Sequence, residues 1–214
     1  MHVRNADDKS VRKAIDQCAE VGFEMVIMTF WSGVNLEDDS PENISRMKRL
    51  ADYAHSKGVA LGGYSLLASR SVDKINDVVM PSGHTPQFGA SPCLESQWGQ
   101  EYMHKLRTYF KETGQDILEH DGSYPGDECA SVDHPGHKGL ADSQWKQYQS
   151  IKKFYQDCRA EGIYLNIPDW YFMNGQNKTG MGYREANWSL PRKQQEIIAV
   201  SYTHLRAHET DSYL

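Results

Sequence analysis

The segment richest in chemistry is Ile117-Leu-Glu-His-Asp-Gly-Ser-Tyr-Pro-Gly-Asp-Glu-Cys129, where an apolar start runs into acids, a histidine and a thiol. Asp121 closes a strand-like run, and Gly122 lets the backbone turn away behind it. Side chains alternate along a strand, so Glu119 and Asp121 point to one face and His120 to the other. A carboxylate delivered by a strand into a polar loop is suited to nucleophilic attack or to proton transfer. His120, aimed the opposite way, reads as a buried structural histidine. The same loop carries Asp127, Cys129, His134 and His137, all of metal-ligand type, with the two histidines spaced His-x-x-His. That spacing is weak by itself, and Pro135-Gly136 between the histidines reads as a turn. No metal and no cofactor is therefore expected.

A second set of residues ends the other strand-like runs. These are Trp31 with Ser32, Tyr64 with Ser65, and Asp169 with Trp170 and Tyr171; Tyr124 lies in the loop after Asp121. Aromatic rings stack on the apolar faces of sugars, and acids pair with hydroxyls, although the same aromatics can also cap a core. Asn166 and Asp169 have opposite parity along their run.

The elements that carry these residues repeat. An amphipathic helical pattern ends in a glycine and passes into a short apolar strand at Val11–Gly22 with Phe23–Trp31, and again at Ile44–Gly58 with Val59–Leu67. It recurs at Gln100–Gly114 with Asp116–Asp121 and at Ser143–Gly162 with Ile163–Asp169. Each glycine fits the left-handed residue that closes a helix, and Ser40-Pro41 and Asp142-Ser143 mark helix starts. Alternation of this kind predicts a parallel sheet with right-handed crossovers. A flavodoxin-like open sheet shares the alternation. Long, polar loops after the strands and short turns before them favour a (β/α)8 barrel, whose chemistry gathers on one rim. Four strands are legible, with none ahead of the first helix, so the expectation is a partial TIM barrel with about four of its eight parallel strands.

Composition excludes other classes. The chain has 214 residues, 39% of them hydrophobic, and a net charge of -6, which offers no basic surplus for nucleic acid. No apolar run approaches the roughly 20 residues that span a bilayer. Cys18, Cys93, Cys129 and Cys158 form no C-x-x-C pair. From Val200 onward the residues Val-Ser-Tyr-Thr-His-Leu-Arg-Ala-His-Glu-Thr resemble a translated transposase-type sequencing adapter. The division expected is a barrel over residues 1–199 and a non-native tail over 200–214.

The Glu119–Asp127 run, the order of the strands and the later Asn187-Trp-Ser-Leu-Pro191 segment resemble the α-galactosidase-type glycoside hydrolases, the clan of families 27 and 36. The resemblance implies a retaining glycosidase acting on α-linked, galactose-like oligosaccharides or polysaccharides. It makes Asp121, at the end of the fourth barrel strand, the nucleophile, so that Phe23–Trp31 is the barrel's second strand. Trp31, Tyr64, Glu119, Tyr124, Asp169 and Trp170 become the expected sugar contacts. In the clan the acid/base ends the sixth strand, which implies that it lies beyond this fragment and that the fragment alone is inactive. The clan's lysine two residues before the nucleophile is Glu119 here, which leaves the sugar open. A secreted or periplasmic location accords with such an enzyme. A metal-dependent barrel hydrolase built on His134 and His137, and a non-catalytic carbohydrate-binding barrel, are the competing readings.

Overall fold

The computed structural model describes residues 1–86, 89–122, 127–167 and 180–181. Six strands form one sheet: β1 (His2–Val3), β2 (Met25–Met28), β3 (Ala60–Leu66), β4 (Ile117–Asp121), β5 (Tyr164–Ile167) and β6 (Gly180–Met181). Four helices alternate with them: α1 (Asp8–Val21), α2 (Pro41–Ser56), α3 (Gln97–Thr113) and α4 (Ser143–Ala160). Among the described residues no helix is long and apolar enough to cross a membrane.

Every strand pairs in parallel with the next in chain order, from β1 to β6. A doubly wound sheet would reverse that order at a switch point; this sheet advances without reversal, as a barrel does. The curl is visible in one contact. β1 and β4 are separated by two strands, about 14 Å apart if the sheet were flat. Yet His2 Nε2 and Glu119 Oε2 are 2.6 Å apart. Only a sheet curved around its axis brings those side chains together.

The helix–glycine–strand units explain the local structure. Gly22 and Gly114 cap α1 and α3 in the left-handed region, and Gly58 and Gly162 take the same conformation two residues past the ends of α2 and α4. Ser40 caps α2 by accepting the Asn43 N–H, with Pro41 at the first helical position. Asp142 differs from expectation: it makes no side-chain cap for α4, and its Oδ1 accepts the Lys138 N–H instead. Two strands escaped the sequence reading. β1 is the strand ahead of the first helix, built when Met1 and Val3 carbonyls accept the Ile27 and Thr29 N–H groups. Like β6 it is two residues long, too short for a hydrophobic period. With β1 in place, Ile117–Asp121 is the fourth strand of the sheet.

The core lies between the sheet and its helices. Val26, Met28, Leu61, Leu118 and Leu165 from the strands pack with Ile15, Leu50, Leu106 and Phe154 from the helices. Each such side chain contributes about 1.5–3 kcal/mol by leaving water. Amid them a polar chain runs from Ser65 Oγ to Tyr102 Oη (2.6 Å), on to His120 Nε2 (2.8 Å), and from His120 Nδ1 to Tyr155 Oη (2.8 Å). His120 therefore faces the helix layer, as its parity requires, and ties β4 to both α3 and α4.

Burial drives the His120 pKa down from 6.5 to about 3, with Arg70 adding a smaller push in the same direction. Unfolding frees this imidazole to take up a proton below pH 6.5. The unfolded state thus binds more protons between pH 3 and 6.5, and stability falls as pH drops through that window. The share from His120 between pH 6.5 and 5 is about 2 kcal/mol. Nitrogen chemical shifts should show a neutral imidazole in the folded protein at pH 5; a protonated ring there would contradict this assignment.

Candidate functional site

Asp121 stands at the C-terminal end of β4, and two donors hold its carboxylate. The Tyr64 hydroxyl donates to Oδ2 at 2.6 Å, and the Gly122 N–H donates to Oδ1 at 2.8 Å. Tyr64 is opposite Glu119 in the sheet register and reaches one step along the strand to Asp121. The Leu67 N–H donates to the Asp121 carbonyl at 2.8 Å, so the backbone is pinned on the same side. Directly behind, Gly122 has φ +73°, and a Cβ there would lie 2.5 Å from the Ala68 nitrogen. The turn that presents Asp121 therefore accepts glycine alone.

Glu119 points to the same face, one layer deeper, and is 3% exposed. Its Oε2 meets both His2 Nε2 and Asn166 Nδ2 at 2.6 Å, which joins β1, β4 and β5 across the concave side of the sheet. Asn166 occupies the register position beside Glu119.

From Tyr64 a row of aromatics leads outward along the rim. Phe30 lies 5.0 Å from Tyr64, and Trp31 lies 5.4 Å from Phe30, both in tilted geometry. Trp31 is 87% exposed and holds φ +61°, a conformation that costs a non-glycine residue stability and is retained here at a rim. A cleft of about 290 Å³ opens between the ends of β2 and β3, lined by Phe30, Trp31, Tyr64, Glu37 and Arg70 among others. Tyr64 is the wall shared between this cleft and Asp121. Arg70 donates to Glu37 at 2.9 Å and lies over the rings of Trp98 and Tyr102. Its Nε and Nη2 are buried without partners among the described residues.

The structure thus gathers Asp121, Glu119, Tyr64 and Trp31 on one end of the sheet. Phe30, Asn166 and the Arg70–Glu37 pair join them. Asn166 was visible as a polar residue on a strand, and Arg70 as a charge just past one. Phe30 was hidden inside an apolar run. Tyr124, Asp169 and Trp170, the Asn187–Pro191 segment and the tail over 200–214 lie outside the described residues. Away from Asp121, the loop residues Cys129, His134 and His137 also converge. The fourth member of that cluster is Cys93, not Asp127.

No family model matches the sequence, and no curated protein matches it. Solved structures do. One is the α-N-acetylgalactosaminidase NagBb from Bifidobacterium bifidum in complex with GalNAc, 17% identical over 77% of this chain, with a TM-score of 0.55. Another is the α-galactosidase from Lactobacillus brevis, 9% identical over 78% of this chain, with a TM-score of 0.56. The match covers 30% of the first protein and 26% of the second, so this chain spans under a third of either. At such identities the likeness shows the fold alone, a partial (β/α) barrel.

Two glycines of nearly equal φ separate conformation from packing. Gly58, at φ +72°, has open space where a Cβ would stand, whereas Gly122 has Ala68. Gly58→Ala should cost about 1–2 kcal/mol, the penalty of the left-handed region. Gly122→Ala should cost a further ~1–3 kcal/mol from the clash. Urea denaturation showing equal losses would mean that the turn behind Asp121 is not tightly packed.

Proposed function

We propose that this chain is part of the catalytic barrel of a retaining glycoside hydrolase that acts on α-linked, galactose-like sugars, with Asp121 as its nucleophile. The observation that carries this reading is the Asp121 carboxylate at the strand end, oriented by two donors and flanked by exposed aromatics on the same rim. Support for the sugar class comes from the resemblance of the Glu119–Asp127 run and from the names of the similar solved structures.

In this reading one Asp121 oxygen attacks the anomeric carbon as the glycosidic bond breaks, which gives a covalent glycosyl ester. The Tyr64 hydroxyl and the Gly122 N–H keep the carboxylate from rotating and stabilise its charge when water later releases the sugar. A second carboxyl, about 5–5.5 Å from the first, protonates the leaving oxygen; the resemblance puts it at the end of the sixth strand, and β6, expected from the sequence to lie beyond this chain, takes that sixth place in the sheet. Trp31 and Phe30 offer an apolar face for a ring, and Tyr124, Asp169 and Trp170 complete the sugar contacts. Glu119, enclosed by its two partners, acts on the sugar by orienting Asn166 and His2 beneath it. The chain's oligosaccharide or polysaccharide partner enters from the open side of this rim.

An aryl α-galactoside with a strongly acidic phenol needs no protonation to leave, so its cleavage reports the nucleophile alone. Asp121→Asn should lower turnover of that substrate about 10³-fold or more. Tyr64→Phe, which removes one hydrogen bond to a charged group, should lower it ~10–100-fold. Near-normal turnover in Asp121→Asn would make Asp121 a loop anchor and defeat the proposal.

A further inference from the structure

Two long loops on the rim side of the sheet meet at a cluster of four buried side chains. Cys93 comes from the loop between β3 and α3; Cys129, His134 and His137 come from the loop between β4 and α4. All four are buried, and their ligand atoms lie within 4.8 Å of one another. We propose that these four side chains bind one zinc ion that staples the two loops together.

The distances are those a tetrahedral ion requires. Zinc bonds of about 2.0–2.1 Å to nitrogen and about 2.3 Å to sulfur make the edges of the tetrahedron about 3.3 Å between nitrogens and about 3.6 Å between nitrogen and sulfur. His134 Nδ1 and His137 Nε2 are 3.2 Å apart; Cys129 Sγ is 3.5 Å from His134 Nδ1, and Cys93 Sγ is 3.4 Å from His137 Nε2. Two thiolates and two imidazoles suit zinc and reject calcium and magnesium, which take oxygen ligands.

Groups around the cluster orient the ligands. His134 Nε2 donates to the Ile75 carbonyl at 2.7 Å, which leaves Nδ1 free to face the centre. Cys129 Sγ accepts the Val79 N–H at 3.3 Å, an interaction that favours the thiolate. His137 Nδ1 accepts the Gly139 N–H at 3.0 Å, the arrangement of a metal-free imidazole. With zinc on Nε2 the proton moves to Nδ1 and this contact opens, a small loss beside four metal–ligand bonds. Neighbouring contacts already hold the loops in register. Ala130 N–H donates to the Val79 carbonyl at 2.7 Å, and Gly136 N–H donates to the Glu95 carbonyl at 3.0 Å.

Four protein ligands close the coordination sphere, so the ion has no position for water or substrate and its role is structural. The same closure removes the basis for a metal-dependent hydrolase built on His134 and His137. The two loops it would join also meet beside Asp121. The β3–α3 loop carries Ala68, against which Gly122 packs, and the β4–α4 loop begins at Gly122 itself.

The test uses the full chain, stripped of metal, kept reduced, given one equivalent of zinc and desalted before elemental analysis. About one zinc per chain should remain. Cobalt(II) in its place should give the strong visible bands of a tetrahedral site and a thiolate-to-cobalt charge-transfer band. Cys93→Ser should lose about half of that charge-transfer intensity or all of the metal, and His137→Gln should retain under about a tenth of the zinc. The wild-type cobalt spectrum decides the matter if either variant fails to fold. No retained zinc in the wild type, zinc retained by both variants as fully as by the wild type, an octahedral cobalt spectrum, or a Cys93–Cys129 disulfide persisting under reducing conditions would each overturn the proposal. None of these readouts depends on glycosidase activity.

Discussion

Everything at the site follows from the two-residue alternation of one strand. β4 is hydrogen-bonded on both edges, to β3 and to β5, so its side chains have two directions open to them. Leu118 and His120 take the helix side, where His120 is locked between Tyr102 and Tyr155. Glu119 and Asp121 are thereby committed to the concave side. A register slip of one residue would bury two carboxylates against the helices and turn an apolar side chain and an imidazole inward. The polar chain behind the strand and the carboxylates in front of it are two consequences of the same register.

The curvature of the sheet then determines what those carboxylates meet. Because β1 curls towards β4, Glu119 finds His2 and Asn166 and is satisfied where an isolated buried acid would be costly. Asp121, one layer higher, escapes this enclosure. It keeps the Tyr64 hydroxyl and the Gly122 N–H as partners and stays partly exposed. Two acids two residues apart thus acquire different roles through depth alone: one braces the strands, the other is presented at the rim. The left-handed Trp31 and the close approach of Gly122 to Ala68 lie on that same rim. Among the described residues other than glycine, Trp31 and Ser69 hold positive φ, and Ser69 follows the Ala68 that Gly122 meets.

Much of this was legible in the sequence, for definite reasons. Four helices with glycine stops leave a strong 3.6-residue period and a local chemical mark, so α1 to α4 and the strands after them could be read directly. The parity of Glu119, His120 and Asp121 needed only the strand assignment. β1 and β6 could not be read, because two residues carry no period and their pairing comes from tertiary contact. Asp142 looked like a cap because its residue type caps helices, yet the nearby Lys138 N–H captures its oxygen. The His2–Glu119–Asn166 junction depends on curvature, which no residue spacing encodes. Cys93 was invisible as a partner of Cys129, His134 and His137 for a similar reason: it comes from a different loop, brought near by the parallel order of the strands.

We propose Asp121 as the group that reaches the anomeric carbon. An α-galactosyl fluoride carrying an additional ring fluorine tests it most directly, because fluoride leaves without acid assistance and the extra fluorine slows hydrolysis of the trapped ester. Proteolysis and mass mapping of the treated protein should place one glycosyl group on Asp121, and Asp121→Asn should abolish the label. A stable label on Glu119, Asp127 or any other carboxylate, with Asp121 unmodified, would contradict the account.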